Sequence, residues 1–322
     1  MRIVVTDHAF ADVRHERDIA AAVSADFDVF DAHTESDAVT AVTGADVALV
    51  NFAPMTERSL AAMNEGAVVV RYGIGYDNVD LDAANKLGIS VCNVPDYGGD
   101  TVADHAVTLL LMLVRKVTQF DRIVADGKWI PATDLAPIVA TAATTVGLLG
   151  TGRIGLAVAT RLAPFGFEVI AYDPYADAAV ADEYGIELVD LDTLFSRSNV
   201  LSLHAPATTE THKVVGRANI AKMPFGSYIV NTSRGALVDE DAVLEALDNG
   251  QLAGVGLDVF DPEPLAPEHG LRSHPHAILT PHAAFYSEQS LEALQRLAAE
   301  EAGRGIRGEP LRCMVNTPAR PA

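Results

Sequence analysis

The sequence predicts an α/β protein made of two doubly wound parallel-sheet domains. Three observations carry that expectation. Short apolar runs alternate with helix-spaced segments twice, once before residue 100 and again after residue 144. A long helical segment, DTVADHAVTLLLMLVRKVTQFDRIVAD (100–126), separates the two series. The 322 residues are many for one core and comfortable for two.

In the first series, RIVVTD (2–7), DVALVNF (46–52), AVVVRYG (67–73) and SVCNVP (90–95) read as strands. ERDIAAAV, TERSLAAMN and DLDAANKLG read as helices, the last two ended by Asn64 and Gly88. Segment 100–126 is apolar on more than one face, which predicts one long buried helix. The proline-marked stretch GKWIPATDLAP (127–137) follows and holds the only tryptophan, Trp129. The second series runs through TTVGLLG, EVIAYD, VLSLH, SYIVN, GVGLDV and AILT, and the tail from Ser287 is helical again.

Composition narrows the function classes. The net charge is −21, from 44 acidic and 23 basic residues, and only five of the basic residues are lysine. A nucleic-acid binder needs a basic face, so nucleic acid is excluded as a partner. An acid-rich, lysine-poor surface suits concentrated salt, which screens its self-repulsion, and predicts a halophilic origin. The longest apolar run ends at Arg115 and Lys116, too short for a membrane span. MRIVVTD reads as a strand and not as a secretory leader, because Asp7 interrupts its apolar run. Cys92 and Cys313 show no metal-ligand spacing, so the expectation is a reduced, cytoplasmic protein without a metal.

VGLLGTGRIG (146–155) is a strand running into Gly150-x-Gly152-x-x-Gly155 and then a helix. Gly150 permits the tight turn, Gly152 lets the backbone approach a pyrophosphate, and Gly155 allows close helix–strand packing. The helix N-terminus, with Arg153 and Ile154, presents N–H groups to the anion. EVIAYD ends in Asp173, 18 residues beyond Gly155. Its carboxylate can accept from both ribose hydroxyls and repels a 2′-phosphate, and Pro174, Tyr175 and Ala176 offer no arginine to hold one. The cofactor expected is NAD, in a Rossmann domain.

Three charged residues follow strands of this second series: Arg234 after SYIVNT, Glu263 after GVGLDV, and His282 after AILT. Singly they read as a surface arginine, a solvated loop acid and a core histidine. Ligands of open parallel sheets bind outside the carboxyl ends of the strands, so together they predict one crevice beside the cofactor.

RYGIGYDNVD, GTGRIG, NTSRGALVDE, GLDVFDPEP and PHAAFYSE, in that order between about Val69 and Glu288, resemble the D-isomer-specific 2-hydroxyacid dehydrogenases. VCNVPDY and PHAAFYSEQ are most similar to the C-terminal-binding-protein and phosphoglycerate dehydrogenase-like branch, although Phe285 stands where that branch usually has tryptophan. The resemblance implies roles. His282 matches the acid/base and Glu263 its partner. An anionic carboxylate beside an imidazole favours its protonated form and fixes the ring. Arg234 matches the substrate arginine, whose planar guanidinium can hold a carboxylate and a carbonyl together. Ile74 and Gly75 match the loop whose N–H groups bind the substrate carboxylate. Arg71 matches a further substrate-facing arginine, with a strand-end surface arginine as the open alternative. Asp258 matches the group that receives the nicotinamide carboxamide. Thr232 and the stretch His204, Ala205 and Pro206 match the nicotinamide-ribose and adenine walls.

The resulting expectation is an NAD-dependent oxidoreductase acting on a small 2-oxo acid or its D-2-hydroxy acid. A flavodoxin-like substrate domain, 1–100 with 284–322, would hold an inserted Rossmann domain, 101–283, with the ligands in the cleft between. The 100–126 helix and the Trp129 loop would form a homodimer interface, as the resemblance implies. The alternatives are an NAD-sensing, corepressor-like binding protein and a formate- or phosphite-type dehydrogenase.

Overall fold

Every strand pairing in the two sheets is parallel. The computed structural model describes residues 1–319 and divides into two units. One is Met1–Gly98 with the segment from Tyr286 onward; the other is Gly99–Phe285. The expected end of the substrate domain, at 322, lies outside the described residues.

In the first unit, β1 (Arg2–Val5), β2 (Asp26–Val29), β3 (Val47–Val50), β4 (Val68–Arg71) and β5 (Ser90–Cys92) form a sheet in the order β2-β1-β3-β4-β5. Its central strands are buried on both faces, which is why they read as unbroken Val/Leu/Ala runs. One face packs against Ala38, Ala41, Leu60 and Ala84. The other packs against Ala20 and against Leu294, Ala298 and Ala302 of the helix Glu288–Arg307. The edge strand β2 and the helix Glu35–Val42 add to the expected series.

In the second unit, β6 (Thr145–Leu149), β7 (Glu168–Tyr172), β8 (Glu187–Leu188), β9 (Val200–Leu203), β10 (Ser227–Asn231), β11 (Leu252–Leu257) and β12 (Ala277–Leu279) are ordered β12-β11-β10-β9-β6-β7-β8. The chain runs outward from β6 to β8 and then returns to β9 on the other side of β6. The β6/β9 junction is therefore the topological switch point, where a crevice opens beyond the strand ends.

The long helix expected at 100–126 is two helices, Gly99–Val114 and Val117–Ala125. Lys116 lies between them in the left-handed region, φ +52°, which a right-handed helix cannot continue through. Its Nζ donates to the Leu135 carbonyl at 2.8 Å. Only the first helix meets the expectation of burial. Leu109 and Leu113 pack closely on Gly254 and Gly256 of β11, where side chains would intervene. The second helix has no buried residue, and Val117, Val124 and Trp129 are exposed. Among the described residues no helix is long and apolar enough to cross a membrane.

Candidate active site

The glycine loop joins β6 to the helix Arg153–Leu162. Gly150 has φ +97°, and a Cβ there would lie 2.7 Å from the His204 carbonyl oxygen beyond β9. A Cβ on Gly155 would collide with the Gly150 carbonyl. The chain's own close packing thus demands both glycines. A Cβ on Gly152 would meet nothing within 4 Å. Gly152 is the N-cap, so open space lies in front of the first N–H groups of the helix, where an anion would bind.

Beside it lies a cavity of about 330 Å³ lined by Thr151, Gly152, Leu156, Asp173, Tyr175 and Val180, among others. Asp173 directly follows β7 and opens the turn that the Ala176 N–H closes on its carbonyl. Its Oδ2 accepts from the Thr151 N–H (2.8 Å) and hydroxyl (3.1 Å), and its Oδ1 from the Tyr175 N–H (2.9 Å). Just beyond β9 and β10, His204 Nδ1 and Thr232 Oγ1 are each buried without a hydrogen-bond partner among the described residues. Burial pushes His204 down to about 4, so its ring is neutral, and its Nε2 bonds the Ser202 hydroxyl at 2.9 Å. Ala205 and Pro206 follow on the same loop, where the Pro206 carbonyl accepts from the Thr211 hydroxyl at 2.7 Å. An open helix N-terminus, an adjoining cavity with a carboxylate, and buried polar atoms awaiting partners all fit a dinucleotide. Arg153 and Ile154 stand in the first turn of that helix.

The three charged residues that the sequence singles out stand beyond β10, β11 and β12, three neighbouring strands. Arg234 follows Asn231, whose side chain donates to the Arg234 carbonyl at 2.8 Å. Gly235 permits this turn, since a Cβ there would strike the Phe260 backbone. Glu263 Oε2 and His282 Nδ1 are 2.8 Å apart, and the Phe260 N–H donates to Glu263 Oε1 at 3.0 Å. Burial works to raise the Glu263 carboxyl. The His282 hydrogen bond and charge, the Phe260 N–H and the Arg234 charge outweigh it, leaving the group below the usual carboxylate range. With Nδ1 engaged, His282 Nε2 is the ring nitrogen left to exchange a proton with a ligand.

His282 itself has φ +53°, uncommon for a residue with a side chain. Asp258, fully buried, holds that conformation. Its carbonyl accepts from the His282 N–H at 2.8 Å. Its Oδ1 accepts from the Ala283 N–H (2.8 Å) and the Thr280 hydroxyl (2.5 Å), and its Oδ2 from the Ala284 N–H (2.9 Å). Asp258 thus anchors the histidine turn, a task beyond the carboxamide role that the resemblance implies.

In the other unit, Arg71 ends β4 and runs back over Gly73, which has φ +126° and where a side chain would collide with the guanidinium. The guanidinium lies 5.9 Å from the Phe52 ring centroid. The Ile74 carbonyl accepts from Asn93 Nδ2 at 2.8 Å, fixing the loop that continues through Gly75. Asp7 accepts from the N–H groups of Asn51 (3.1 Å), Phe52 (2.6 Å) and Ala53 (3.2 Å), shaping the neighbouring turn. Sequence reasoning singled out neither Asp7 nor the Asp258 anchor with its partner Thr280. The only available signal for Asp7 was an acid placed just beyond an apolar strand.

Comparison with known proteins bears on this arrangement. The family described as D-isomer specific 2-hydroxyacid dehydrogenase, NAD binding domain, matches residues 107–284. A glyoxylate reductase of Korarchaeum cryptofilum is 38% identical over 251 residues, 77% of this chain and 76% of that protein. A D-3-phosphoglycerate dehydrogenase of Archaeoglobus fulgidus is 37% identical over 254 residues, 78% of this chain. The match spans only 47% of the latter, about half its length. Among solved structures, a D-lactate dehydrogenase from Aquifex aeolicus complexed with NAD and lactic acid superposes with a TM-score of 0.85 at 27% identity, covering 99% of this chain and 100% of that one.

Proposed function

This chain belongs to the D-isomer specific 2-hydroxyacid dehydrogenase family, and from that premise we propose that it interconverts a small 2-oxo acid and its D-2-hydroxy acid with NAD. The observation that carries the reading is the Glu263–His282 pair at 2.8 Å, beyond two strands of the sheet that also carries the glycine loop.

When bound, NADH would supply the hydride that reduces C2 of the oxo acid. His282, protonated and oriented by Glu263, donates its Nε2 proton to the ketone oxygen, and in oxidation takes it back. Arg234 holds the carboxylate and polarises the carbonyl through its planar fork. Ile74 and Gly75 offer backbone N–H groups to the same carboxylate, and Arg71 offers a second cation. For the cofactor, the helix N-terminus at Gly152–Ile154 would take the pyrophosphate and Asp173 the adenosine ribose. His204, Ala205, Pro206 and Thr232 would line the rest, and Asp258 would accept from the carboxamide. A homodimer through the exposed face of Val117–Ala125 and Trp129 belongs to the same reading. Sedimentation of the wild type and of Trp129→Asp tests it, with a dimer expected only for the former.

The experiment is an assay of the purified protein with NADH against glyoxylate, pyruvate, hydroxypyruvate and longer 2-oxo acids. The reading expects turnover of at least one of them, with formation of the D-isomer. Tight NADH binding with no turnover of any would instead favour a sensor of cofactor state.

A further inference from the structure

His105 lies near the start of the helix Gly99–Val114, on its face toward β12. Its Nε2 is 3.0 Å from Thr280 Oγ1 and 3.7 Å from Asp258 Oδ1. The Thr280 hydroxyl has one proton and gives it to Asp258 at 2.5 Å. It therefore accepts from His105, which places a proton on His105 Nε2. The line His105–Thr280–Asp258 then continues into the N–H groups of His282, Ala283 and Ala284.

This line has a mechanical reason. A non-glycine residue at φ +53° persists only where its surroundings over-determine it. Three of the bonds around the turn end on the single Asp258 carboxylate. That carboxylate could rotate about its own side-chain torsion and release Ala283 or Ala284. The Thr280 hydroxyl, itself oriented by a ring on a packed helix, locks it.

We propose that His105 is a positioning residue. It fixes the rotamer of Thr280, hence the Asp258 carboxylate, hence the direction of the His282 ring. The proposal rests on the reading of His282 as the proton donor. Its own test keeps the two apart.

The experiment compares His105→Leu, His105→Gln, Thr280→Val and the His105→Leu/Thr280→Val double variant. Each is assayed for kcat and KM with the oxo acid that the wild type turns over, for NADH affinity by fluorescence, and for amide exchange of the 280–285 segment by mass spectrometry. In His105→Leu, kcat should fall on the order of tenfold at unchanged NADH affinity, and exchange across 282–284 should quicken by a similar factor. His105→Gln, whose amide N–H can replace the ring donor, should recover most of both losses. The double variant should be no worse than Thr280→Val, because the two residues act in series. Wild-type kcat and exchange in His105→Leu, a loss that His105→Gln fails to recover, or additive losses in the double variant would each overturn the inference. Absence of turnover by the wild-type enzyme would overturn the functional reading alone, since the exchange measurement still reports on the turn.

Discussion

Glu263 Oε2 stands 2.8 Å from His282 Nδ1, joining the loop after β11 to the turn after β12. The two residues are 19 apart in sequence and are brought together because their strands are neighbours in the sheet. The pair is half-exposed, so water and ligand can reach the other ring nitrogen. That relationship holds Nδ1 and leaves Nε2 as the ring nitrogen open to a ligand.

Replacing Glu263 by Gln keeps a hydrogen-bonding group near the ring and removes the anion. A neutral partner holds the ring more weakly than the charged carboxylate does, and it gives less help to the positive charge the ring carries as a donor. In 2-oxo acid reduction, kcat should fall about tenfold at nearly unchanged NADH affinity. Unchanged kcat would show that the carboxylate neither orients nor assists the histidine.

Asp173→Ala should weaken NADH binding and admit NADPH, measured by titration with each. The carboxylate lines the cavity beyond the glycine loop and accepts two hydrogen bonds from Thr151. Use of NADPH by the wild type at an efficiency comparable to NADH would contradict this role.

His204 gives a prediction for stability. Burial holds it at about 4, below the ordinary value near 6.5, so the folded protein binds fewer protons than the unfolded chain in that interval. Its contribution is present above pH 6.5 and is lost as pH falls toward 4. Thermal unfolding should show the wild-type Tm falling across that window more steeply than in His204→Gln. Parallel curves would mean that the imidazole is not buried in solution.

With a net charge of −21, the protein should gain Tm and activity as KCl rises into the molar range. Greatest stability at low salt would remove the halophilic reading and leave the chemistry untouched.

Much of the fold was legible because its strands are buried on both faces and so read as short unbroken apolar runs. What escaped has a common cause. Strand β2, DFDV, lies at a sheet edge with most of its side chains in water, so no apolar signal marks it. Strand β8 has two residues, too few for any pattern. The break at Lys116 goes with a bond to Leu135, 19 residues away, which local spacing cannot contain. The candidate site divides the same way. Arg234, Glu263, His282 and the glycines stand in motifs, each just beyond an apolar strand. Asp7, Thr280 and His105 act through partners distant in sequence, and nothing local distinguishes His105 from any polar residue on an amphipathic helix.

The central claim is that His282 carries the proton, and His282→Ala tests it most directly. With the best 2-oxo acid and saturating NADH, kcat should fall by about 10²–10⁴, the usual worth of a general acid. NADH affinity should be nearly unchanged, because the bonds that shape the turn come from its backbone N–H groups and Asp258. A His282→Ala protein that binds NADH normally and retains near-normal kcat would contradict the account.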